Sequence, residues 1–90
     1  MSLAQYLIDS GFLADILSNA EPENGIWTLE GVKQLWDEEM EAMREAAEDD
    51  ENTADFLQGW DALTEAGQEL NWNEIAWKSL VAENSSYPHD

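Results

Sequence analysis

A chain of 90 residues carries 21 Asp and Glu against three Lys and Arg, a formal net charge of −18, yet 43% of it is hydrophobic and five residues are Trp. Acidity alone marks a disordered segment, but this apolar fraction and its tryptophans supply a core, so the chain reads as one folded domain built to be strongly negative. The charge excludes direct binding of DNA or RNA and adhesion to anionic membranes, and the absence of cysteine excludes disulfides and thiolate metal sites.

Leu3, Tyr6, Leu7, Leu13, Ile16 and Leu17 recur at steps of three and four, which predicts an amphipathic helix from Leu3 to Ser18, open to a break at Gly11. Asp9 and Asp15 interrupt this stretch and no basic start precedes it, so it is not read as a signal peptide. Pro22 and the dipeptide Asn24-Gly25 make Asn19 to Gly25 a loop. Thr28 caps a second helix from Leu29 to about Glu48, with Leu29, Val32, Leu35, Trp36, Met40, Met43 and Ala47 as its apolar stripe. Asn52 or Thr53 caps a third helix carrying Phe56, Leu57, Trp60 and Leu63, and Gly67 stops it. Asn71, with Glu74 three residues on, predicts a capping box for a fourth helix holding Trp72, Ile75, Ala76, Leu80 and Val81. No period-two strand pattern occurs, and no apolar run approaches the ~18 residues of a membrane span. The expected fold is all-α, a small bundle of three or four helices, with residues 1–82 as a single helical domain and 83–90 as a flexible C-terminal tail.

The acids are concentrated. From Asp37 to Glu51 nine of fifteen positions are acidic and Arg44 is the one cation. Asp37, Glu41, Glu45 and Glu48 fall on one side of a helix, with neighbours roughly 5–6 Å apart, and Glu38 flanks the row while Glu39 points elsewhere. Fifteen helical residues rise about 22 Å, or one carboxylate per ~2.5 Å, against one phosphate per ~3.4 Å along each strand of duplex DNA. A charge run is ordinarily a solvated face, and adaptation to high salt would also tolerate it. A merely soluble helix, however, mixes Lys among its Glu and avoids the ~0.2–0.5 kcal/mol repulsion of each like pair at i,i+4. The expected partner-binding residues are therefore Asp37, Glu38, Glu41, Glu45, Glu48, Asp49, Asp50 and Glu51. A basic surface is the expected partner.

Other chemistry is poorly supplied. Carboxylate pairs arise by chance in so acidic a chain, the one histidine, His89, lies in the tail, and no Gly-rich phosphate loop occurs, so no enzyme and no cofactor are expected. The stretch Asn19 to Glu30 superficially has the layout of a calcium-binding EF-hand loop, with Glu30 at position twelve, but Asn24 stands where glycine is required. Trp36 and Trp60 read as core, whereas one of Trp27, Trp72 and Trp77 is expected to be partly exposed and able to anchor a partner. The stripe bearing Met40 and Met43 could pair two copies as a homodimer.

In size, charge, lack of cysteine and the block WDEEMEAMREAAEDDE, the chain resembles the DNA-mimic proteins of phages and mobile elements, of the antirestriction and anti-CRISPR types. The resemblance lies in composition, about a sixth of the chain, and carries over no individual residue. It implies a cytoplasmic inhibitor, in the host cytosol if phage-encoded, that occupies the basic groove of a host nucleic-acid-binding defence complex. The alternatives are an acidic adaptor or immunity-like inhibitor using aromatic anchors and, less prominently, a degenerate calcium module.

Overall fold

Ser2 opens the first helix, α1 (Leu3–Ser10), by accepting the Gln5 amide on its hydroxyl at 3.1 Å. Gly11, at φ +77°, is the single residue between α1 and α2 (Phe12–Asn19) and caps both. The left-handed region costs a residue bearing a Cβ about 1–2 kcal/mol. Glycine therefore converts the helix expected from Leu3 to Ser18 into two helices that fold onto each other. The Ser10 hydroxyl secures the corner, donating to the Leu7 carbonyl at 2.6 Å and accepting the Phe12 amide at 3.2 Å.

The computed structural model describes residues 2–90, and the elements after this corner follow the predicted order with altered ends. Thr28 caps α3 (Leu29–Ala46) as predicted, its hydroxyl accepting the Gly31 amide at 3.1 Å. Helix α4 (Glu51–Glu65) is capped by Asp50 rather than by Asn52 or Thr53. At its far end Gly67, φ +93°, places its amide on Thr64 and the Gln68 amide on Leu63, at 3.1 and 3.0 Å, and so satisfies the last carbonyls.

The expected fourth helix is interrupted. Asn71 caps only a 3-10 turn (Trp72–Glu74), receiving the Asn73 amide at 3.0 Å, and Ile75 is extended before α5 (Trp77–Asn84) begins. On an unbroken helix Ile75 and Val81 would lie about 120° apart. The break lets both reach the core, at 4% and 0% exposure. The fold is thus all-helical, with five α-helices in place of three or four and no strand among the described residues.

Helix α1 packs on α2 and α4, α3 on α4, and α2 on α5. Between α3 and α4 the rings of Trp36, Phe56 and Trp60 meet with centroids 5.6–6.2 Å apart. Of residues 83–90, expected as a loose tail, Glu83 and Asn84 complete α5 and the segment 85–90 lies against Trp27. The Trp27 amide donates to the Pro88 carbonyl and the Asp90 amide to the Trp27 carbonyl, both at 2.8 Å, and the Trp27 indole donates to Ser85 Oγ at 3.0 Å.

Candidate acidic interface

Helix α3 positions its acids by the same periodicity that builds the core. At about 100° per residue, Asp37, Glu41, Glu45 and Glu38 fall within an arc of about 100°, while Val32, Trp36 and Met43 cluster on the opposite side. The structure follows this division: those three apolar side chains are buried and the four acids are exposed. Glu39, the acid set apart in the sequence, is half-buried. Glu38, Glu41 and Glu45 border one shallow depression with Ala42 and Arg44. From Asp37 to Glu45 the helix rises about 12 Å, so its four outer carboxylates average one step per about 4 Å of axis, in uneven steps of about 1.5, 4.5 and 6 Å. One strand of duplex DNA places its phosphates about 3.4 Å apart.

The remaining four predicted residues leave this helix. Their block was expected on one helix, but α3 ends at Ala46, whose carbonyl accepts the amides of Asp49 and Asp50 at 3.0 and 2.9 Å. Four carboxylates beyond a helix C-terminus oppose its dipole, whereas at the N-terminus of the next helix they favour it. The chain uses the second arrangement. Asp50 accepts the Asn52 and Thr53 amides at 3.0 and 3.4 Å and the Thr53 hydroxyl at 2.9 Å. These bonds, that from the Thr53 hydroxyl foremost, hold the Asp50 carboxyl below its ordinary value. Asp50 therefore has a structural task. Glu48, Asp49 and Glu51 stay exposed around the turn, off the α3 row.

Cations do little to neutralise the row. Two ion pairs form among the described residues: Lys33 reaches Glu30 at 3.9 Å, and Arg44 crosses to α4, where both terminal nitrogens meet Asp61 at 2.8 and 3.2 Å. On α3 alone, Arg44 neighbours Glu41 at three residues. Its engagement with Asp61 leaves Asp37, Glu41 and Glu45 without an ion-pair partner among the described residues. The Arg44 bond also lowers the Asp61 carboxyl from its ordinary value.

A groove that the sequence did not reveal adjoins this face. The loop after α2 and the first half of α3 enclose it, with Glu21, Glu23 and Glu30 on its walls and Glu38 shared with the acid row. Ile26 lines it and, at 41% exposure, is the large hydrophobic residue most open to solvent among the described residues. An isolated isoleucine between Gly25 and Trp27 was its available signal.

The expectation of a partly exposed tryptophan holds for Trp72 and Trp77, which are half-buried against the core, while Trp27 is buried. Of the two methionines on the α3 stripe, Met43 is buried and Met40 is partly buried against the same core. In the loop once compared with a calcium site, Trp27 ties the backbone to the C-terminal segment, and no three His, Cys, Asp or Glu converge among the described residues. No helix among the described residues is long and apolar enough to cross a membrane.

No protein-family model matches this chain, and no curated protein or solved structure matches it either.

Proposed function

We propose that this chain is a non-catalytic inhibitor that imitates nucleic acid and occupies the basic groove of a host nucleic-acid-binding defence complex, of the restriction or CRISPR type. The supporting observation is the uncompensated outer row of α3. Four exposed carboxylates stand at a mean axial density close to that of the phosphates of one strand, and the one arginine beside them is held by Asp61. A row of like charges destabilises its own helix slightly and gains nothing inside the fold, since none of the four contributes to the core. Its benefit comes on meeting a cationic cavity, whose field steers the two molecules together.

Glu38, Glu41 and Glu45, with Asp37, form the proposed contact surface, and the exposed turn acids Glu48, Asp49 and Glu51 extend it around the corner. The test is capture of nucleic-acid-binding proteins from host lysate on the immobilised chain at low salt, followed by excess duplex DNA. Release of the captured protein by the duplex is the expected result. A partner that stays bound while its DNA site fills would contradict mimicry.

A second reading, an acidic adaptor anchored by apolar contact, draws on the Ile26 groove. Affinity would then centre on one side chain rather than on summed charge. An Ile26→Ser change that abolishes capture, with weak dependence on salt, would favour the adaptor.

A further inference from the structure

The second acidic region of the molecule is an aromatic recess between α1 and α4. Its lining comprises Tyr6, Phe12 and Phe56, with Asp9, Ser10 and Asp55 around them. The rings form a continuous floor: Tyr6 stacks on Phe56 with centroids 5.2 Å apart and an interplanar angle of 16°, and Phe12 tilts against Phe56 at 4.6 Å. The Tyr6 hydroxyl is turned into the protein, donating to the Phe56 carbonyl at 2.8 Å. The Ser10 hydroxyl is spent on the α1–α2 corner. Phe56, only 5% exposed, supports this floor from beneath, so what the recess offers is the half-buried Tyr6 and Phe12 ring surface, rimmed by the exposed carboxylates Asp9 and Asp55.

Among the described residues, none of the three Lys and Arg side chains serves it. Arg44 is on Asp61, Lys33 is beside Glu30, and Lys78 lies over the Trp77 ring at 5.8 Å. Asp9 accepts only a neutral amide, that of Gln5, at 2.8 Å. Burial first, and then the Asp55 charge, push the Tyr6 hydroxyl above its ordinary value, in keeping with a carboxylate close to the ring floor.

We infer that this recess seats an arginine side chain of a basic protein partner, its guanidinium lying against the half-buried Phe12 and Tyr6 rings, which rest on Phe56, while Asp9 and Asp55 accept its N–H groups. A flat, delocalised guanidinium suits both parts of such a site: it stacks on aromatic faces and meets carboxylates two bonds at a time, whereas an ammonium is a compact, strongly hydrated point charge. Asp55 follows Glu51 by one helical turn, so the recess continues the acidic turn that α3 leads into. The inference deepens the proposed function, because it rests on the partner being basic, and it adds a specific anchor to a surface otherwise recognised by charge alone.

The test uses the intact chain and a small probe. N-acetylarginine amide is titrated while backbone amide shifts are followed by NMR, with N-acetyllysine amide as comparison. Saturating shifts confined to Tyr6–Phe12 and Asp55–Phe56 are expected, with the lysine probe weaker by about threefold to tenfold. Asp55→Asn, at an exposed position, should weaken the arginine probe by a similar factor without lowering the melting temperature. Phe12→Leu should do likewise where it folds. Shifts spread evenly over α3, equal binding of the two probes, or no effect of Asp55→Asn would each overturn the assignment. Reversing Glu38, Glu41 and Glu45 to Lys should leave the local arginine shifts in place while abolishing capture of the basic partner, so the two proposals fail separately.

Discussion

The Tyr6 hydroxyl occupies the space that a side chain on Gly59 would need: a Cβ built there overlaps Tyr6 Oη and comes within 2.7 Å of Cζ. Helix α4 thus carries a mid-helix glycine where the Tyr6 side chain of α1 lies against it. Propensity alone predicts that Gly59→Ala stabilises α4 by about 1 kcal/mol. The overlap reverses the sign, because the tyrosine must leave both the Phe56 ring and its carbonyl. A net loss of about 1–3 kcal/mol is expected by urea denaturation.

Ser85 gives a second stability prediction. Its hydroxyl is the partner of the Trp27 indole N–H, and Trp27 is only 2% exposed. Ser85→Ala leaves that donor buried and unpaired, at a cost of about 1–3 kcal/mol. Truncation after Asn84 should cost more, since it also removes the two backbone bonds to Trp27. Both losses are read from urea midpoints.

The pH dependence follows from Asp50. Its carboxyl lies below the ordinary 3.8 when folded, so its contribution is complete above 3.8 and disappears as pH falls through the lower folded value. Asp50→Asn keeps an acceptor for the cap but removes the titration. Wild type should therefore exceed Asp50→Asn in stability at pH 7, and the gap should close in strong acid. A gap that widens on acidification would contradict the cap assignment.

What the sequence disclosed was what is local. The α3 stripe, its Thr28 cap and its exposed acid row all follow from spacing within one helix, and Gly67 from a stop signal beside its own helix. The Asp50 cap was missed because Asp50, Asn52 and Thr53 are all competent caps, and the choice turns on burying Thr53, which is 5% exposed. The docked C-terminal segment was illegible for another reason: Ser85 finds Trp27 across 58 residues of chain. The Arg44–Asp61 pair is likewise non-local, so the sequence showed where the acids lie but not that their neighbouring cation is engaged elsewhere.

That pair is half-exposed on both sides, so Arg44→Gln should cost no more than about 1 kcal/mol of stability. Because it removes the one cation beside the row, it should also tighten binding to a basic partner, most visibly at low salt. Calorimetry and a binding titration check the two halves.

The α3 row itself is tested most directly by the salt dependence of affinity for the captured partner, compared between wild type and the Glu38, Glu41 and Glu45 to Lys variant. Wild-type affinity should fall at least about tenfold between roughly 50 and 200 mM salt, and the variant should bind too weakly to measure while retaining its helical circular dichroism. A folded variant that binds as tightly as wild type, or a wild-type affinity indifferent to salt, would contradict the account.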